Sequence, residues 1–166
     1  MKTPHRVLAF LWLLATPLAV VQAEQHNHAY HAGDIRAENP WSRPTPPGTP
    51  VAVGYLTLHN TGDQAITLIG AESPRAGHVS IHQTVMQNGV MRMQPLAEGL
   101  EIAPGAKQVF KPHGHHLMLE QLSKPLLEGE RVPVTLQFGD GSTLVLQLQV
   151  RSLDAPEPMD HSGMEH

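Results

Sequence analysis

"HVSIHQTVMQNGVMRMQ", His78 to Gln94, decides the fold. At its centre Asn88-Gly89 is the strongest short hairpin signal a sequence offers, because a two-residue turn of the favoured type needs positive φ at both positions. A two-residue turn also sets the register, placing Met86 opposite Met91, Thr84 opposite Met93 and His82 opposite Pro95. Val79 and Ile81 then lie on one face. His82, Thr84, Met86, Met91 and Met93 share the other, which is polar and rich in sulfur. Met93 is the diagonal neighbour of His82, within reach of a long side chain, and Met91 lies farther off.

The same period of two runs outward through the chain, interrupted by Gly and Pro every ten residues or so. "VAVGYLTLHN" ends in the turn signal Asn60-Thr61-Gly62-Asp63, and "AITLIGA" follows it. After the hairpin come "KQVFKP", "HHLMLEQL", "RVPVTLQF", the turn Gly139-Asp140-Gly141 and "STLVLQLQV". In the last of these Leu144, Leu146, Leu148 and Val150 alternate with Val145, Gln147 and Gln149, one face core and the other mostly wet. No segment holds a helical period. Short strands at this spacing predict an all-β fold, an antiparallel Greek-key β-sandwich or barrel. "NPWSRPTPPGTP", Asn39 to Pro50, is too rich in proline for a central strand and reads as a long loop, with Trp41 capping the core or shielding a site.

Flanking segments read differently. Lys2, His5 and Arg6 precede an apolar run, Val7 to Val21, and Val-Gln-Ala at 21–23 supplies a cleavage site. The run of about 15 residues falls short of the roughly 20 that span a bilayer. It predicts a signal peptide over 1–23, cut after Ala23, and a periplasmic protein without a membrane anchor. Residues 24–33 read as a His-rich flexible N-terminus, 34–153 as the domain and 154–166 as a flexible Met/His-rich tail.

Composition excludes several functions. There are twelve histidines, seven methionines and no cysteine. Without cysteine there is no disulfide, thiolate ligand, Cys nucleophile, C-x-x-C redox pair or lipid-bearing cysteine. A formal net charge of −4 argues against nucleic acid, which needs a basic surface. No G-x-S-x-G elbow or metal-protease motif appears, and the protein is not expected to be an enzyme.

"KPHGHHLMLE", Lys111 to Glu120, completes the candidate site. As a strand, it turns Leu117 and Leu119 to the core with His115, while His116 and Met118 stand on the opposite face. His82, Met93, His116 and Met118 then form a set of neutral imidazole and thioether donors. Such soft, uncharged ligands suit Cu(I), whose d10 shell accepts three or four without demanding a geometry. Zinc would bring Cys, Asp or Glu, and calcium would bring oxygens. The site is expected near the surface, with His116 and Met118 accessible for ligand exchange. Met86 and Met91 are expected to fill gaps in the core, and His59, His78 and His113 to be solvated or hydrogen-bonded.

At these residues the sequence resembles the periplasmic copper chaperones of the PCuAC type. Their signature runs His, ten residues, Met, about twenty-one residues, His-x-Met. Here ten residues separate His82 from Met93 and twenty-two separate Met93 from His116-Leu117-Met118. The extra residue falls in the loop "PLAEGLEIAPGAK", where insertions are tolerated. A methionine often follows the first histidine of the signature, and Gln83 stands there in this chain. "HNTGD", "NGVMRM", "EGLEI", "HLML" and "PLLEGE" also look like the family, and the likeness covers roughly 37–150. The resemblance implies a cupredoxin-like fold, Cu(I) held by the four motif residues, and delivery toward the CuA site of cytochrome c oxidase. It further implies work alongside thioredoxin-like assembly factors of the Sco type.

The tails suggest a second copper chemistry. A mature chain beginning Glu24-Gln25-His26 could wrap Cu(II) in a plane of four nitrogens, with His28 and His31 as further donors. Met159, His161, Met164 and His166 could collect or deliver copper from a flexible arm. Against delivery stands a periplasmic copper or zinc buffering or storage protein that uses the same residues. A blue-copper electron carrier lacks its cysteine, and Glu24 at the expected start opposes an oxygenase that coordinates through an N-terminal histidine.

Overall fold

The computed structural model describes residues 29–152. Eleven strands follow one another without a helix: β1 (Ala29–Ala32), β2 (Ile35–Ser42), β3 (Val51–Asn60), β4 (Ile66–Glu72), β5 (Ala76–Gln87), β6 (Val90–Pro95), β7 (Leu100–Ile102), β8 (Lys107–Phe110), β9 (His115–Leu122), β10 (Arg131–Phe138) and β11 (Thr143–Val150). They lie in the order β6-β5-β9-β8-β3-β2-β11-β10-β4-β7, and a further β4–β5 pairing closes eight of them into a barrel of the cupredoxin-like kind. Closure leaves few free edges, and β6 forms one of them.

The period of two carries the barrel. Leu144, Leu146, Leu148 and Val150 are buried, while Val145 between them is 59% exposed. Val132, Val134, Leu136 and Phe138 of β10, Leu117 and Leu119 of β9, and Val79 and Ile81 of β5 fill the same interior. Gly54 faces inward opposite Leu117, and a Cβ there would come within 2.9 Å of Leu148 Cδ1. The β5–β6 hairpin has the register read from its turn: Met86 pairs with Met91, Thr84 with Met93 and His82 with Pro95. Asn88 (φ 53°) and Gly89 (φ 78°) both adopt the positive φ that this turn requires.

Three differences from the sequence reading have physical causes. Asn39 to Ser42 belongs to β2 and not to a loop, paired with β3 on one side and in parallel with β11 on the other. The register shifts between Glu38 and Trp41, where Asn39 takes φ 49°. Such a bulge interrupts the ladder, which is how a proline is accommodated at position 40. The β2–β11 and β8–β9 pairs are parallel, so the sheet is not wholly antiparallel. Finally, Ala29–Ala32, read as part of a flexible segment, pairs with Ile35–Glu38 as a strand whose Tyr30 and Ala32 pack against the core. The expected signal peptide, its cleavage site and the tail over 154–166 fall outside the described residues.

Candidate metal centre

The four motif residues come from three adjacent strands. β9 pairs with β5 so that His82 faces His116 directly and Ser80 faces Met118. Beyond β5, β6 brings Met93 opposite Thr84, one diagonal step from His82. All four therefore lie on the outer face of the barrel wall, while Leu117, Leu119, Val79 and Ile81 point inward. The imidazole rings of His82 and His116 have centroids 5.8 Å apart. With metal–nitrogen bonds of roughly 2.0–2.1 Å, two imidazoles on one ion have centroids up to about 6 Å apart. The observed spacing is the right size for one ion between the rings.

Hydrogen bonds orient both rings. His116 Nδ1–H donates to the Gly114 carbonyl at 3.1 Å, which leaves the lone pair on Nε2. That Nε2 is buried and has no hydrogen-bond partner among the described residues. His82 Nε2 meets Ser80 Oγ at 2.9 Å, and its Nδ1 is likewise buried and unpartnered. Buried polar atoms are nearly always satisfied in folded proteins. Two orphaned imidazole nitrogens in facing residues, each held by its other nitrogen, make a preorganised pair of donors. Neither Ser80 nor Gly114 was named from sequence. Both stand two residues before the histidine they orient, Ser80 on the same face of β5 as His82 and Gly114 through its carbonyl in the turn before β9.

The surroundings favour the neutral form of His82. Burial lowers the pKa of His82 below its ordinary value, and the neighbouring His116 lowers it further; Glu120 opposes this, and His78 adds a small effect in the same direction. Burial, then His116, likewise lowers His115, whose Nδ1 lies 3.0 Å from Gln108 Nε2. His115 is thus a hydrogen-bonded strand residue. Glu120 shares the outer face two residues past Met118, as the alternation of the strand places it, and pairs with His78. Even so, among the described residues no group of three or more His, Asp or Glu side chains is arranged to hold a metal ion.

Exposure differs from expectation at two points. His116 is only 3% exposed, where the sequence reading put it near the surface. β9 is flanked by β5 on one side and by β3 and β8 on the other, so its outward side chains are crowded by two neighbours. Continuing the β3–β9 register by one pair sets Tyr55 across from His116, and Tyr55 stacks on Trp41 with centroids 4.6 Å apart. Trp41 is 7% exposed, lies outside the core cluster, and carries the Arg43 and Arg151 guanidinium groups at 5.5 and 5.8 Å. Trp41 thus packs on Tyr55 of the neighbouring strand and not in the core cluster. The second difference is that Met86 and Met91 are not core residues but are 66% and 48% exposed. His31 pairs with Arg36 in β1 and is not brought to the motif residues. His26, His28, Met159, His161, Met164 and His166 lie outside the described residues.

Residues 35–150 match the family described as "Putative lipoprotein LpqE-like". The chain belongs to the LpqE-like family. It is similar to "Putative lipoprotein Lxx21020" of Leifsonia xyli subsp. xyli, 33% identical over 120 residues that cover 72% of this chain and 71% of the relative. Although the family carries a lipoprotein's description, these 166 residues hold no cysteine to bear a lipid. In three dimensions the chain is similar to the copper-bound PCuAC domain from PmoF2, with 25% identity, TM-score 0.63, and coverage of 75% of this chain and 98% of that one. It is also similar to the solution structure of CuI-DR1885 from Deinococcus radiodurans, with 29% identity, TM-score 0.52, and coverage of 70% and 77%. The PCuAC-type resemblance read from the spaced motif thus extends to the fold.

Proposed function

We propose that this protein is an exported, non-enzymatic copper carrier that holds Cu(I) between His82, Met93, His116 and Met118. The observation that carries the reading is the pair of unpartnered buried nitrogens, His82 Nδ1 and His116 Nε2, in cross-strand partners flanked by two thioethers. Copper in two structurally similar PCuAC-type proteins supports it. The donor set is uncharged, so it favours a soft monovalent d10 ion over zinc, which competes better where thiolates or carboxylates ligate. The two histidines are rigid, because each is hydrogen-bonded through its second nitrogen. Met93 is 51% exposed on an edge strand. An incoming ligand from an acceptor can displace this thioether first while the histidines keep hold of the ion, which is the requirement for transfer rather than storage.

The acceptor is an apo-cuproprotein, and the resemblance points to the CuA subunit of cytochrome c oxidase with a Sco-type factor alongside. His26, His28 and His31 are proposed as auxiliary ligands for Cu(II), and Met159, His161, Met164 and His166 as donors that collect or deliver copper.

Anaerobic Cu(I) titration against a chromogenic chelator tests the site. Wild type should compete for one tightly held ion, and His116→Ala and Met93→Ala should each compete less well. Unchanged affinity in both variants sinks the assignment. Mixing the loaded protein with an apo CuA domain separates delivery from buffering: a carrier passes copper faster than its spontaneous dissociation rate, a buffer only at that rate.

A further inference from the structure

The site just proposed leaves sulfur unused. Four methionines fall within the described residues, Met86, Met91, Met93 and Met118, and none of them belongs to the core cluster. Methionine ordinarily fills gaps in cores, so its complete absence from this one requires a reason. Three of the four stand on one hairpin, and Met86, Met91 and Met93 are 66%, 48% and 51% exposed. They share a single face: Met86 is directly opposite Met91, and Met93 is opposite Thr84, one diagonal step from Met86.

These three are too far along the hairpin to serve the inner site together. At about 3.4 Å of rise per residue, Met86 lies roughly 14 Å from His82. Met93 is midway, since Thr84 across from it is two residues from His82 and two from Met86. Directly paired side chains have Cβ atoms about 4.5–5.5 Å apart, and each thioether has three rotatable bonds to bring its sulfur to a common point. Three neutral sulfurs satisfy a d10 ion, which tolerates trigonal coordination.

We infer that Met86, Met91 and Met93 form a second, outer site for soft monovalent metal, and that Met93 belongs alternately to it and to the inner site. The inference rests on the reading of the inner site as a Cu(I) site. Metal arriving at the hairpin tip is held by thioethers alone. When Met93 swings toward His82 it carries the ion to the imidazoles, with no bond to solvent in between and no change of oxidation state.

The test uses the full chain with 13Cε-labelled methionine, each methyl signal assigned by a single Met→Leu variant. It is titrated with Ag(I), an air-stable d10 ion, and then anaerobically with Cu(I). The first equivalent should move Met93 and Met118. The second should move Met86 and Met91, and Met93 again. The double variant Met86→Leu/Met91→Leu keeps the apolar surface and removes the sulfur. It should retain the first equivalent with unchanged affinity and load it more slowly from a Cu(I) thiol complex. Met86 and Met91 methyls that stay still through metal excess, or a double variant that loads at the wild-type rate, would overturn the outer site. If Met86 and Met91 respond while Met118 does not, the outer site stands and the proposed function falls. Because each methyl is seen separately, metal taken up by Met159 or Met164 is not mistaken for either site.

Discussion

Replacing His116 with leucine should leave the metal-free protein at least as stable as wild type while removing the stabilisation that Cu(I) gives through this site. His116 is 3% exposed, and its Nε2 is buried without a partner. An unsatisfied buried polar group costs roughly 1–3 kcal/mol, and leucine removes that cost. The lost hydrogen bond from Nδ1–H to the Gly114 carbonyl is worth about 1 kcal/mol. It creates no new orphan, because the Gly114 carbonyl still accepts from Thr84 N–H at 3.1 Å. Leucine is close to histidine in volume, so little cavity forms. The net change is then between about 0 and +2 kcal/mol. For a domain of this size each kcal/mol moves the thermal midpoint by about 4 °C, so the apo variant should melt unchanged or up to roughly 8 °C higher. Cu(I) at a hundred times its dissociation constant should add about 2.7 kcal/mol to wild type, near 10 °C, and add nothing at this site in the variant. Termini that bind metal equally well in the unfolded chain contribute little to such a shift. Anaerobic scanning calorimetry with and without Cu(I) reads both numbers. An apo variant several degrees less stable than wild type would mean that Nε2 is not orphaned, and an undiminished Cu(I) shift would mean that His116 is not a ligand.

Other outcomes are equally specific. The lowered pKa values of His82 and His115 mean that the unfolded chain takes up protons more readily than the fold, so stability should decline as pH falls below about 6.5, the ordinary histidine value, and level off once the folded rings protonate. Urea midpoints across pH 8 to 5 would show this, and a flat profile would contradict it. Ser80→Ala should weaken Cu(I) binding by about 10–100-fold with little change in melting, as measured by chelator competition, because the hydroxyl orients His82 from outside the ligand set. Asn60→Ala should cost about 2–4 kcal/mol in chemical denaturation, since the fully buried amide donates to the Gln64 and Ile102 carbonyls at 2.7 and 3.1 Å and accepts from Gly62 N–H at 3.0 Å. Its copper affinity should not change.

What could be read from residues alone followed the range of the forces involved. The hairpin register was legible because Asn88-Gly89 sets it locally, and the inward leucines were legible because period two is a property of the strand itself. That His82 would face His116 was not, because it depends on β9 pairing with β5 across more than thirty residues of sequence. The burial of His116 was hidden for the same reason: a strand does not announce whether it is flanked on both sides. Pro40 misled in the other direction, since a proline-rich run looks like a loop unless a bulge is known to absorb it. Tyr55 gave no signal of its own in the sequence, and only the β3–β9 register sets it across from His116.

The proposed ligands stand on the outer wall of a barrel whose interior is filled by leucine, valine, isoleucine and phenylalanine. Exchanging one donor for another on that wall leaves the core cluster beneath it unchanged, so the same scaffold can drift between metals, affinities and acceptors by a few replacements outside the core. A lineage of such proteins is free to diversify its cargo without first solving its folding again.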